Sequence, residues 1–301
     1  MCIILSCFKC NIKNNYDDDN LTDVIKESNS HYEKLKQYSK FTKIGKGATS
    51  KIYLTNKEKK SYICKSLYDH SLKRGFREIK ILQKLNGNDY FPKIHEFINF
   101  GKNLFIFMEY EQSVDLHKYF FEPIKNDIPL KATIHIIREM GNAIENLHSY
   151  NFVHLDLKLE NFIITNKKKI KLIDFGTVKP TTFTEKKLFT IVGTKNYSAP
   201  EIYRYRYHCN SDVWSYGICV WILLIQEYCF NHADIRKTYT IDNFPHQLFK
   251  FPSKKHLSFL KKFNIEITNM FKHIFKQFPI DRPNISYIKN FNYEKYLIAN
   301  K

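Results

Sequence analysis

The sequence predicts an α+β protein of two lobes, a small strand-rich N-lobe and a larger helical C-lobe. Its 301 residues suit one large domain or two lobes with ample core. The first part alternates short apolar runs with a glycine-marked turn. The second carries apolar residues at helical spacing over longer segments.

The elements follow in order. Residues 1–40 read as a loosely attached leader, because Asn11 to Asn20 is polar and contains Asp17-Asp18-Asp19. From Phe41, FTKIGKGATSKIYL and KSYICKSL read as strands around a turn. Phe76, Ile79, Leu82 and Leu85 share one helical face. NLFIFMEY (103–110) reads as a buried strand, and 130–149 as a long helix ending near Ser149-Tyr150-Asn151. Two short strands flank Asn166 to Lys169, and Ile218 to Ile225 is a buried helix candidate.

The formal net charge of +18 raises the prospect of an acidic partner. The plainer reading is drift in an A/T-rich genome, since Lys, Asn, Ile, Tyr and Phe are all abundant. The lysine clusters at 57–60, 167–171 and 254–255 read as solvated faces, and no nucleic-acid surface with interleaved aromatics is recognised. Seven scattered cysteines argue for a reducing compartment rather than a disulfide framework. No signal peptide or spanning segment is recognised, so the expectation is an intracellular, cytoplasmic protein; its oligomeric state is unknown from the sequence, with a monomer as the default. Cys2, Cys7 and Cys10 lie on a short terminus that reads as an untethered tail. Membrane association by S-acylation is the alternative, while zinc would need a fourth ligand and the nearest histidine is His31.

Chemistry enters with VHLDLKLENFII (153–164). Strand alternation explains its first half but fails at Glu160-Asn161, where two polar residues adjoin. Read as a loop, it offers Asp156 to accept a proton from a hydroxyl, and Lys158 to neutralise developing charge. Asn161 and Asp174 offer oxygens to Mg²⁺. Upstream, Gly45 and Gly47 would let backbone N–H groups approach an anion. Lys65 sits on an apolar strand and needs a partner; Glu78 is available.

In this order the residues resemble the eukaryotic protein kinase family, serine/threonine branch. The segments that carry the resemblance are GKGATSKI (45–52), Lys65 in ICK, Glu78, HLDLKLEN (154–161), Asp174-Phe175-Gly176 and Ala199-Pro200-Glu201. Asp212 in SDVWSYG and Arg282 in DRP extend the match, which runs from about Phe41 to Phe291.

The resemblance implies a protein-kinase-like fold with N-lobe 41–107, hinge 108–115, C-lobe 116–293 and tail 294–301. It implies ATP and Mg²⁺, with Asp156, Lys158 and Asn161 catalytic and Asn161 and Asp174 on the metal. Nucleotide contacts would come from Ile44, Gly45, Lys46, Gly47, Ala48, Thr49, Ser50 and Ile52. Further contacts would come from Lys65, Glu78, Met108, Glu109 and Asp115. Asp115 also suits a helix N-cap. Glu201 would pair with Arg282, and Asp212 would brace the catalytic loop. Lys158 with Thr194 matches the serine/threonine branch, implying protein substrates that carry those hydroxyls. A pseudokinase scaffold and a small-molecule kinase are the competing readings.

Three positions depart from the family pattern. Ser50 replaces a glycine. Ile63 replaces a small alanine and should tighten the purine site. Leu155 replaces the arginine that clamps an activation-segment phosphate, and Lys179 is a poor substitute for it. The expectation is activity that does not depend on phosphorylation of Thr190.

Overall fold

The computed structural model describes residues 30–47, 49–122, 128–181, 184–226 and 265–298. Ala48, the N-terminal cysteines and Lys254-Lys255 lie outside them. The chain divides into two units, Met1–Gln112 and Ser113–Lys301.

The first unit is built on one antiparallel sheet. Its strands are β1 (Ser39–Lys46), β2 (Ser50–Lys57), β3 (Lys60–Tyr68), β4 (Ile94–Phe100) and β5 (Asn103–Glu109), in the order β1-β2-β3-β5-β4. Side chains alternate between faces along a strand. On β3, Tyr62 and Cys64 join Phe105 and Phe107 of β5 in one apolar cluster. Lys65 and Leu67 point to the opposite face, where helix α2 (Leu72–Lys84) packs. That helix begins four residues before the apolar stripe that reveals it in sequence. Gly75 explains the shortfall: a Cβ there would come within 2.6 Å of Leu104 Cδ2, so a poor helix former is retained for close packing.

The leader reading needs correction at its C-terminal end. Residues 30–36 form helix α1, and Leu35 and Tyr38 are buried in the sheet cluster. Tyr38 stacks on Phe107 with ring centroids 3.8 Å apart and donates its hydroxyl to Glu96 at 2.6 Å. Polarity near Asn11 to Asn20 hid the change to apolar anchoring at Leu35. The lysine reading is corrected as well. Lys57 is not a solvated side chain: it donates to Glu96 at 2.8 Å and lies over the Tyr38 ring. Lys171 is buried, because strand register turns it inward.

The second unit opens with β6 (Ser113–Asp115) and α3 (Leu116–Phe121), then the long helix α4 (Leu130–Ser149). Two-residue β7 (Phe152–Val153) leads into the 153–164 stretch, and β8 (Phe162–Thr165) and β9 (Ile170–Leu172) complete the sheet β6-β8-β9. The following segment forms β10 (Lys179–Pro180) on β7, and β11 (Lys186–Lys187) on β12 (Arg206–Tyr207), with α5 (Pro200–Tyr203) between the last two. Helix α6 (Ser211–Ile225) is buried nearly all round, as its apolar composition requires. Helices α7 (Ile265–Ile274), α8 (Ile285–Lys289) and α9 (Tyr293–Ile298) follow. The expected tail boundary at 294 falls inside α9, where Glu294 accepts both guanidinium nitrogens of Arg138 on α4 at 2.7 and 2.8 Å.

Candidate active site

In the first unit the glycine turn is closed by the Gly47 N–H donating to the Ser50 carbonyl at 2.8 Å. Gly45 faces Ile52, and Lys46 faces Lys51, across the hairpin. Thr49 carries its carbonyl against the Ser71 hydroxyl at 3.3 Å, and Ile44 is exposed. Lys65 and Glu78 are both buried and paired: the ammonium donates to both carboxylate oxygens, at 2.7 and 2.8 Å. Strand β3 and helix α2 therefore fix the position of one cation. Met108 is buried opposite Ile63 and Ile94, and the Glu109 N–H donates to the Lys93 carbonyl at 3.0 Å.

In the second unit the stretch VHLDLKLENFII is a loop between β7 and β8, closed by a short 3₁₀ turn at Leu159–Asn161. Leu155, Leu157 and Leu159 are buried, so the apolar alternation anchors the loop while Asp156 and Lys158 stay partly exposed. Leu155 takes a left-handed φ of 66°, which costs a β-carbon-bearing residue about 1–2 kcal/mol. Asp212 offsets that cost. It is fully buried, and its two oxygens accept the N–H groups of His154 at 2.8 Å and Leu155 at 2.9 Å. The His148 ring approaches the same carboxylate at 2.9 Å. His154, also fully buried, brings its Nε2 to the Ile173 carbonyl at 3.3 Å, and the Thr177 hydroxyl donates to the His154 carbonyl at 3.0 Å.

This frame presents Asp156. The Thr194 hydroxyl donates to its Oδ1 at 2.7 Å and accepts from the Lys158 ammonium at 2.9 Å. Lys158 also lies 3.5 Å from Asp156 Oδ2. Asn161 Nδ2 donates to the Asp156 carbonyl at 2.8 Å and to its Oδ2 at 3.3 Å. With the amide nitrogen so engaged, Asn161 Oδ1 has no donor among the described residues. A hard cation takes such an oxygen readily. The Asn161 carbonyl accepts the Ile173 N–H at 2.8 Å, which places Asp174 next along the chain. Asp174 adopts φ 64° and accepts the Gly176 N–H at 3.4 Å. A side-chain oxygen on Asn161 and a carboxylate at Asp174 form a donor set that fits Mg²⁺.

Asp115 accepts the Lys118 N–H at 2.9 Å as the N-cap of α3. Glu201 and Arg282 form the expected pair, at 2.7 and 2.8 Å and buried on both sides. The Ser211 hydroxyl adds a bond to Glu201 at 2.6 Å.

Sequence reading missed the His148, Thr177 and Ser211 contacts, because each is long-range and carried by a common residue type. It also missed Gly193. That residue has φ 83°, and a Cβ on it would lie 2.5 Å from the Leu155 carbonyl oxygen. The cue was available: a glycine just before the threonine that meets Asp156.

Residues 38–294 match the protein kinase domain family, and the chain belongs to that family. It is 29% identical to a probable serine/threonine-protein kinase of Zea mays, over 68% of this chain and 34% of the relative. It is 30% identical to an Aurora kinase of Debaryomyces hansenii, over 65% and 49%. With the probable serine/threonine-protein kinase PLK of Dictyostelium discoideum it shares 30% identity, over 87% and 27%. The aligned part thus spans about a quarter to a half of these relatives' length.

Proposed function

We propose that the protein is an ATP-dependent serine/threonine protein kinase that acts without phosphorylation of its activation segment. The observation that carries the reading is the Asp156 carboxylate, oriented by Thr194, Asn161 and Lys158 and left able to accept a hydroxyl proton. Asn161 and Asp174 would hold Mg²⁺, which supplies charge neutralisation on the nucleotide phosphates. Lys65, oriented by Glu78, would hold the α and β phosphates, with Ile44, Gly45, Lys46, Gly47, Thr49, Ser50 and Ile52 as further nucleotide contacts. Met108 and Glu109 would meet the adenine and Asp115 the ribose. Ile63 faces Leu54 and Met108 across the strands, which favours a tight purine site. Lys158 would stabilise the transferring phosphoryl group.

Independence from Thr190 phosphorylation draws support from contacts that need no phosphate. Strand β10 pairs with β7, Thr177 bonds His154, Gly193 packs against the Leu155 carbonyl, and Leu188 is buried beside the β11–β12 ribbon. Leu155 itself is buried, where a phosphate-clamping guanidinium would have to reach solvent.

The test is phosphorylation of an oriented peptide library by the wild-type protein and by Asp174→Ala. Transfer to serine or threonine peptides by the wild type, lost in the variant, is the expected result. ATP binding without transfer to any peptide would overturn the reading.

A further inference from the structure

Within the second unit, residues 184–206 carry five cationic side chains, Lys186, Lys187, Lys195, Arg204 and Arg206, and one exposed carboxylate, Glu185. All five are exposed. Their placement is unfavourable in the isolated protein. Lys187 and Arg206 are direct cross-strand partners in the β11–β12 ribbon, and like charges so placed repel. Glu185 relieves one of them, pairing with Arg206 at 3.1 Å. Among the described residues no carboxylate lies within ion-pair distance of Lys186, Lys187 or Lys195.

Around these cations three large apolar side chains face solvent: Phe189, fully exposed, with Ile191 and Tyr205. The Leu188 N–H donates to the Tyr205 carbonyl at 2.6 Å, so backbone bonding continues past the β11–β12 ribbon to the segments that carry Phe189 and Tyr205. Exposed aromatics beside three lysines that have no carboxylate partner among the described residues mark a binding surface rather than a solvated face.

The surface also lies at a usable distance from the chemistry. Thr194 touches Asp156, and Lys195 follows it directly. Lys187 is seven residues before Thr194, so the chain between them reaches at most about 25 Å. An extended substrate advances about 3.3 Å per residue. A peptide with its hydroxyl at Asp156 would therefore meet these cations within about seven residues.

We infer that this ribbon selects protein substrates bearing acidic residues within about seven positions of the phosphorylated hydroxyl. The inference rests on the protein kinase reading above and names its substrate class. Charge complementarity is the argument for the occupant: three cations have no carboxylate partner among the described residues, and a row of carboxylates would relieve the Lys187–Arg206 repulsion.

The experiment compares kcat/KM for a serine peptide flanked by Asp and Glu with that for the same peptide carrying Asn and Gln. Wild type should favour the acidic peptide by about tenfold or more at low salt, and the preference should shrink as salt rises. Lys186→Glu/Lys187→Glu should abolish or reverse the ratio, and Lys187→Gln should give an intermediate value. Lys131→Glu/Lys272→Glu changes net charge equally at exposed helix positions and should leave the ratio as in wild type. Equal use of both peptides by wild type overturns the inference while leaving the kinase reading in place. Phosphorylation of neither peptide overturns both. An unchanged ratio in Lys186→Glu/Lys187→Glu, together with lost binding to phosphatidylserine vesicles, assigns the ribbon to a membrane surface and also overturns the inference.

Discussion

Asp212 Oδ1 accepts the backbone N–H of Leu155 at 2.9 Å, and that bond holds the one buried leucine of the 153–164 loop that has a left-handed backbone. The loop's conformation therefore depends on a carboxylate 57 residues away in sequence. Asp212→Asn keeps the size but turns one acceptor into a donor facing an N–H group. A buried N–H left without an acceptor costs about 1–3 kcal/mol, so a fall in Tm of about 5 °C is expected. Phosphotransfer should fall by more than tenfold, because Asp156 follows Leu155 directly. His148→Ala removes only a partly exposed neighbour of Asp212 and should cost less in both thermal melts and peptide assays.

Gly193 offers a test of close approach separate from backbone strain. Gly193→Ala puts a methyl group 2.5 Å from the Leu155 carbonyl at φ 83°. Gly101→Ala meets the same kind of strain at φ 56° with open space around it. The second substitution should cost about 1–2 kcal/mol with activity retained. The first should cost more than that and lower kcat by at least tenfold, about 1.4 kcal/mol of barrier. Equal effects of the two in parallel melts and assays would show that the Leu155 contact is unimportant.

These two residues also show what the sequence could and could not disclose. The strand-helix partition, the loop at 153–164 and the Lys65–Glu78 and Glu201–Arg282 pairs were legible, because local pattern or ordered motif carries each. Asp212 was expected to brace the loop. The left-handed Leu155 that makes the brace necessary was not legible, since φ is not written in a leucine. The packing of Leu35 and Tyr38 on the sheet was equally hidden. Two apolar residues at the end of a polar leader have no periodicity, and their partners lie at Phe100, Phe105 and Phe107. Thr194 was noted as a marker of hydroxyl class, yet its bond to Asp156 depends on how the segment after β11 folds back.

Thr190 is exposed, and the segment around it is held by strand pairing and by Leu188. Thr190→Ala purified from bacteria should keep its rate within about tenfold of wild type, under 1.4 kcal/mol of barrier. Radiolabel transfer to a peptide measures this. A larger loss would show that the missing clamp at Leu155 is supplied elsewhere.

Glu96 makes the first unit's stability sensitive to acid. Burial pushes its carboxyl up, but hydrogen bonds from Lys57 and Tyr38 outweigh this and hold it below the usual carboxylate range. A depressed folded-state value contributes stability that is present above the unfolded value, near about 4.3, and lost as pH falls through the folded one. Glu96→Gln should therefore be less stable than wild type at neutral pH. The gap between their denaturation midpoints should narrow below about pH 4. Glu294, held down by Arg138, titrates in the same direction but is common to both proteins and cancels in the difference.

Thr194 joins the proposed base, Asp156, to the Lys158 ammonium. Its hydroxyl donates to Asp156 Oδ1 and accepts from Lys158, so one side chain fixes both groups. Thr194→Val keeps the shape and removes the hydroxyl. Lys158 and Asp156 would then be free to tighten their 3.5 Å ion pair into a direct hydrogen bond. That pairing takes the carboxylate away from a substrate hydroxyl, and a positioned base is worth roughly 10²–10⁴ in rate. A fall in kcat of at least tenfold is expected, with KM for ATP little changed. Thr194→Ser restores the hydroxyl and should return kcat to within about threefold of wild type, since the bridging hydrogen bonds are remade. Loss of activity in the serine variant equal to that in the valine variant would show that the methyl group matters. The hydroxyl bridge would then not be what orients Asp156.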